Sequence, residues 1–289
     1  MTTLPTPGRA GSGSERGAEA VQGAAGTAPD SGSTGAGRTV HAGAAPVWRR
    51  VLAQTTFEAR AILRNGEQLL VTVIVPVVVL VGLTRTTAVR LDTDGLSRID
   101  FLAPGVLALA VMTTSFVSQA IASAFDRRNG VLRLLSTTPL GRGGLLAGKV
   151  LGVLGVELVQ IIVIGVCAVL LGWRPDPVGI LPAVLAVLLG TAAFTSLALL
   201  AAGTLRAEAV LAVANLALLV LAVAGGVVVP ASQLPGPLAN VALLLPSGAL
   251  GEALRGAFLD GGVPAWSVVV LLGWTAALGW GAGRLFRWH

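Results

Sequence analysis

Residues 150–172 read VLGVLGVELVQIIVIGVCAVLLG, a run of apolar and small side chains in which Glu157 is the one charged position. A helix needs about 20 such residues to cross the hydrocarbon core of a bilayer, so this stretch alone predicts a membrane span. Five further runs lie around it, at about 69–88, 101–125, 178–205, 209–229 and 263–283. Hydrophobic residues make up 54% of the 289 and charged ones 12%, about half the charged share of an ordinary soluble domain. A soluble domain of this length lacks the interior to hide so many apolar side chains, and the remainder must face lipid. Gly, Ala, Ser and Thr recur within the runs, as close packing between helices in lipid favours. The expected fold is all-α and integral to the membrane, with six transmembrane helices within residues 46–289.

The segments outside these runs add detail. Residues 1–45 are rich in Gly, Ala, Ser and Thr and hold no aromatic residue. They cannot bury enough surface to offset ordering entropy and lack the apolar stretch of a secretory signal, so a disordered cytoplasmic extension is expected. Between this tail and the first span, Trp48, Val51, Leu52, Thr55, Ala59, Ile62 and Leu63 recur at helical spacing. Arg49, Arg50, Arg60 and Arg64 fall between them, which predicts a basic amphipathic helix lying in the membrane interface with its arginines toward headgroup phosphates. The first span itself is interrupted by Pro76 and meets Arg85 near its outer end.

Two connections are too long to be turns. In 126–149, the residues Val131, Leu132, Leu134 and Leu135 predict a short apolar helix that Pro139 ends. In 229–264, a fairly apolar stretch at 239–259 is broken by Pro246, Gly248, Glu252 and Arg255, which fits a re-entrant or interfacial helical pair better than a seventh span. Basic residues flanking the six spans number 12 on the face that carries the interfacial helix, the 126–149 loop and the C-terminus, against 5 on the other. Positive charge is retained on the cytoplasmic side, so both termini are expected there. The net charge of +6 therefore reads as membrane orientation and not as nucleic-acid binding.

Few residues could carry chemistry. The single cysteine, Cys167, excludes a disulfide framework or a multi-cysteine metal site, and the two histidines lie at positions 41 and 289. Residues 143–149 satisfy G-x-x-x-x-G-K, but Val150 stands where a magnesium-binding Ser or Thr would follow and a span begins at once. No cofactor is expected in this chain and no constellation suits ATP hydrolysis. Glu157 is the one ionisable residue well inside a span, with Gln160 a turn away on the same face. Gln119 and Asn215 are further polar groups at depth. These four either line a translocation path or bind helices to each other. A lipid-modifying enzyme with Glu157 as acid and base, and a proton-coupled carrier with Glu157 as proton site, stand as alternatives. The preference for arginine over lysine, with abundant Ala and Gly, points to a GC-rich bacterium and its cell membrane.

Two motifs carry a resemblance. After span two come Asp126-Arg127-Arg128-Asn129-Gly130, the Leu-rich run Leu132–Leu135, Thr138-Pro139-Leu140 and Gly148-Lys149. Before the last span come Pro230, Leu234-Pro235, Pro246-Ser247 and Glu252-Ala253-Leu254-Arg255. Together with the six-span arrangement, these resemble the ABC-2-type transporter permeases, which include the daunorubicin-resistance type of drug exporter. Asp126 stands where that family usually has Glu.

The resemblance implies a membrane permease subunit that exports an amphipathic drug-like or lipid-like molecule. ATP and magnesium would be held by a separate ABC ATP-binding subunit, and a second permease copy would complete a homodimer. It also implies that Asp126, Arg127, Arg128, Gly130, Leu132, Leu134, Leu135 and Pro139 form a coupling helix docked to that subunit. The interfacial helix with Trp48, Arg49, Arg60 and Arg64 would contact it as well.

Overall fold

The computed structural model describes residues 46–86, 95–136, 141–227, 233 and 236–285. Every regular element among them is helical. The interfacial helix α1 spans Val47–Leu63. A second helical run follows, made of α2 (Gly66–Leu69), a π-helical turn (Leu70–Ile74) and α3 (Val75–Arg85). The π turn stands immediately before Pro76, whose ring removes the N–H that the Thr72 carbonyl would accept four residues back. The apolar part of this run, Thr72–Arg85, is shorter than the long spans elsewhere. Within the predicted 69–88 span, the described residues form a shorter apolar helix with a π-helical entry, and 87–88 lie outside them.

The next helix, Arg98–Arg128, is the centre of the molecule and is buried along nearly all of its apolar length. It consists of α4 (Arg98–Met112), a second π-helical turn (Thr113–Ser118) and α5 (Gln119–Arg128). Ser97 caps its N-terminus by accepting from the Asp100 N–H. Gly130, at φ +73°, turns the chain into the short helix α6 (Val131–Ser136). Then α7 (Gly141–Leu170) begins nine residues before the predicted third span and takes Lys149 into its first turns. The G-x-x-x-x-G-K match therefore lies on a helix rather than in a phosphate-binding loop.

A 3₁₀ turn (Pro177–Gly179) leads into α8 (Ile180–Thr204), followed by α9 (Ala207–Ala224) and the last helix, α12 (Ala265–Leu285). Between them stand α10 (Pro237–Leu244) and α11 (Pro246–Leu259), which meet at 84°. Leu245 is extended because a residue before proline is excluded from the helical region, and the bend follows from that. By length and composition five helices can cross a membrane, or six if the bent pair counts as one. Outside the central helix their outer faces are apolar and exposed, with Leu158, Ile162 and Val166 on α7, Leu216, Leu219 and Val223 on α9, and Val269 and Leu272 on α12. Such continuous apolar faces are what lipid covers, and the chain is a multi-pass membrane protein.

Candidate functional site

At one end of the bundle a single lysine holds three elements together. The Lys149 Nζ, on α7, lies 2.9 Å from Glu58 Oε1 on α1 and 2.7 Å from Asp126 Oδ2 on α5. Gln54 Nε2 donates to Glu58 Oε1 at 2.8 Å and fixes that carboxylate in turn. The lysine is 2% exposed, so these charges attract one another with little screening by water. Two glycines make the approach close enough. A Cβ at Gly148 would sit 2.5 Å from Gln54 Cγ, and one at Gly152 would sit 2.7 Å from Glu58 Cβ.

This arrangement adds a protein contact to the sequence reading of α1. Its buried residues are Gln54, Glu58 and Ile62, the last of them on the apolar stripe. Trp48, Leu52 and Phe57 are exposed, and Arg49 lies over the Trp48 ring at 5.2 Å. A buried lysine on α7 requires carboxylates, and α1 supplies one from its polar side. Arg60 and Arg64 are exposed and, with Phe57, line a surface groove of about 440 Å³.

The residues expected in the coupling segment divide by position. Arg127 donates to the Leu205 carbonyl at the end of α8, and Arg128 meets Glu208 at the start of α9. These residues line a cleft of about 480 Å³ with Thr204 and Arg206. On α6, Leu132 is buried against the body while Leu134 is 70% exposed. Leu135 lies on the same helix, and Pro139 falls outside the described residues.

A second polar cluster lies within the spans. Gln160 of α7 bridges both π-helical turns: its Nε2 donates to the Thr72 carbonyl, and its Oε1 accepts from Thr114 Oγ1 at 2.8 Å. Thr72 is the residue whose carbonyl Pro76 leaves without its α-helical donor. One turn earlier, Glu157 Oε2 accepts from Thr191 Oγ1 of α8 at 2.6 Å, while its Oε1 is buried without a partner. Gln119 is buried and bonded to Ser123 on its own helix. Asn215 is set apart, exposed on α9 with its amide donating to the Leu211 carbonyl. The structure thus joins Glu157 and Gln160 in one layer and places Asn215 on an outer face.

Sequence reasoning missed Glu58, Gln54 and the hub role of Lys149. The available signal was polar residues at positions 54 and 58, spaced by four on α1, opposite the pair Gly148 and Gly152, also spaced by four on α7. It also missed Arg255, which is buried and donates to the Gly226 and Val227 carbonyls beyond α9 while pairing with Glu252 at 3.0 Å. A guanidinium on carbonyls of the turn that follows a helix satisfies acceptors outside the helical ladder, and here it anchors α11 to the turn after α9. Among the described residues no group of three or more His, Cys, Asp or Glu is placed to hold a metal ion.

No curated protein matches the chain. The profile of the ABC-2 type transporter family matches residues 49–259, well over half of the chain, from the interfacial helix to the end of α11. The chain belongs to the ABC-2 type transporters and is a membrane permease subunit of an ABC transporter.

Proposed function

We propose that this permease exports an amphipathic small molecule or lipid-like compound, driven by ATP hydrolysed on a separate ATP-binding subunit. The observation that carries the reading is α6, a short helix turned out by Gly130 that seats Leu132 inward and presents Leu134 outward. A large apolar side chain exposed beside the basic cleft of Arg127, Arg128 and Arg206 suits a groove on a partner protein. Both termini are cytoplasmic in this reading, supported by the 12 basic residues on that face against 5 opposite. The short helix Thr72–Arg85 then counts as the first crossing, and the bent pair α10–α11 re-enters from outside. A second permease copy forms a homodimer, and the membrane is that of a bacterial cell. Lipid headgroups meet Arg60 and Arg64 on the exposed side of α1.

The test is to tag the chain in its native membrane, solubilise it gently and identify what accompanies it, with Leu134 and Leu135 native or both changed to Asp. An ATP-binding subunit held by the native loop and lost from the altered one supports the reading. A chain that comes out alone contradicts it.

One observation favours a second reading, the unpartnered Oε1 of Glu157. The second reading takes this buried carboxyl group, which has no cation beside it, as the proton site of a proton-coupled carrier. That reading predicts transport driven by a pH gradient, indifferent to ATP depletion and lost on Glu157→Gln.

A further inference from the structure

The two polar clusters grip the same helix. At its beginning, Lys149 ties α7 to α1 through Glu58 and to the central helix through Asp126. Eleven residues on, roughly 16 Å along the axis, Gln160 ties α7 to the run of α2 and α3 through Thr72 and again to the central helix through Thr114. Each tie is made by one side chain, and both reach the central helix. Between them α7 is an unbroken 30-residue helix without proline.

The points gripped differ in kind. Asp126 stands near the end of α5, four residues before the Gly130 turn into α6, so it is the attachment nearest the segment that faces the ATP-binding subunit. Thr72 and Thr114 lie within π-helical turns, where one extra residue is held in the helix and register can change locally. A rigid helix fastened to a partner-facing segment at one end and to two register-variable turns at mid-length has the parts of a lever.

We propose that Lys149 is a positioning residue for energy coupling: through Asp126 it carries displacement of α6 into α7, and α7 delivers it through Gln160 to the π-helical turns at Thr72 and Thr114. The inference rests on the exporter reading above. Glu58 serves as the second anchor, keeping α1 fixed to α7 by the glycine contacts at positions 148 and 152. Lysine suits the task because its ammonium can meet carboxylates from two directions at once.

The chain carries its own reporter. Cys167, its single cysteine, lies near the far end of α7, 18 residues or about 27 Å beyond Lys149. The experiment uses the complex of permease and ATP-binding subunit in lipid nanodiscs and follows the rate at which N-ethylmaleimide labels Cys167. Rates are compared without nucleotide and with ATP plus vanadate, for complexes matched in bound subunit. The native complex is expected to change its labelling rate with nucleotide, Lys149→Met to lose that change, and Lys149→Arg to keep it. Should Lys149→Met fail to assemble, Asp126→Ala decides, since it leaves the Lys149–Glu58 pair and removes the acceptor on α5.

Retention of the nucleotide response in Lys149→Met or Asp126→Ala overturns the proposal, and so does a lower melting temperature with the response intact. A native complex that binds its ATP-binding subunit but shows no nucleotide response also overturns it, while leaving the exporter reading standing. A preparation in which no such subunit is found fails the exporter reading and this inference together.

Discussion

The Lys149 cluster and Glu157 lie on one face of one helix and solve opposite problems. At the end of α7, one cation is shared by two carboxylates, and every charge meets its opposite within 2.9 Å. Two turns deeper, a lone carboxylate faces only hydroxyl groups, with Thr191 donating to one oxygen and the other left unpartnered. Paired ions are strongly held because removing one strands the others. An acid with no cation beside it leaves no ion stranded when it is replaced. The difference teaches that burial alone does not mark importance for stability: what matters is whether a side chain's removal leaves an ion behind.

The comparison can be broken by substitution. The largest effect is expected from Lys149→Met, which leaves Glu58 and Asp126 facing each other without a cation. It should cost about 3–5 kcal/mol, read as a fall in unfolding midpoint in detergent micelles. Gln160→Leu comes next, at about 1–3 kcal/mol, because it strands the Thr72 carbonyl and the Thr114 hydroxyl. Adding Pro76→Ala should recover part of that loss, since alanine restores an N–H for the Thr72 carbonyl, and the two substitutions should be non-additive in a double-mutant cycle. If Pro76→Ala recovers nothing, Gln160 is not the replacement donor.

Glu157→Gln is expected to change stability by under about 1 kcal/mol in either direction, since the amide oxygen still accepts from Thr191. A loss as large as that of Lys149→Met would erase the contrast between the two clusters. The smallest effect belongs to Arg128→Ala. Its pair with Glu208 has both side chains more than half exposed, and its loss should register below about 0.5 kcal/mol in the same unfolding assay.

Much of the fold was legible because lipid imposes a simple rule, that a crossing helix must be apolar over about 20 residues. The runs at 101–125, 150–172, 178–205, 209–229 and 263–283 each fall on a long helix. The bend between α10 and α11 was legible from Pro246, whose effect on Leu245 is local stereochemistry. What hydropathy could not supply was the set of contacts between helices. The apolar stripe of α1 said nothing of its polar contact, because its partner on α7 is a lysine flanked by glycines, and only the pairing of two distant segments reveals that. Asn215 shows the converse: polarity within a span did not bring a bond to another helix, since its amide donates to a carbonyl of its own. The beginning of α7 was hidden for a third reason, since Gly143, Gly144 and Gly148 argue against a helix locally while packing on α1 favours one.

The central claim, that this permease is energised by a separate subunit docked at α6, is tested most directly by ATP turnover. It would be measured on the purified chain alone and on the complex that accompanies it from native membranes, with Leu134 native or changed to Asp. The account predicts no turnover from the chain alone, turnover in the native complex, and loss of the subunit with its activity in Leu134→Asp. Turnover by the chain alone, or a native preparation with no ATP-binding subunit, would contradict it.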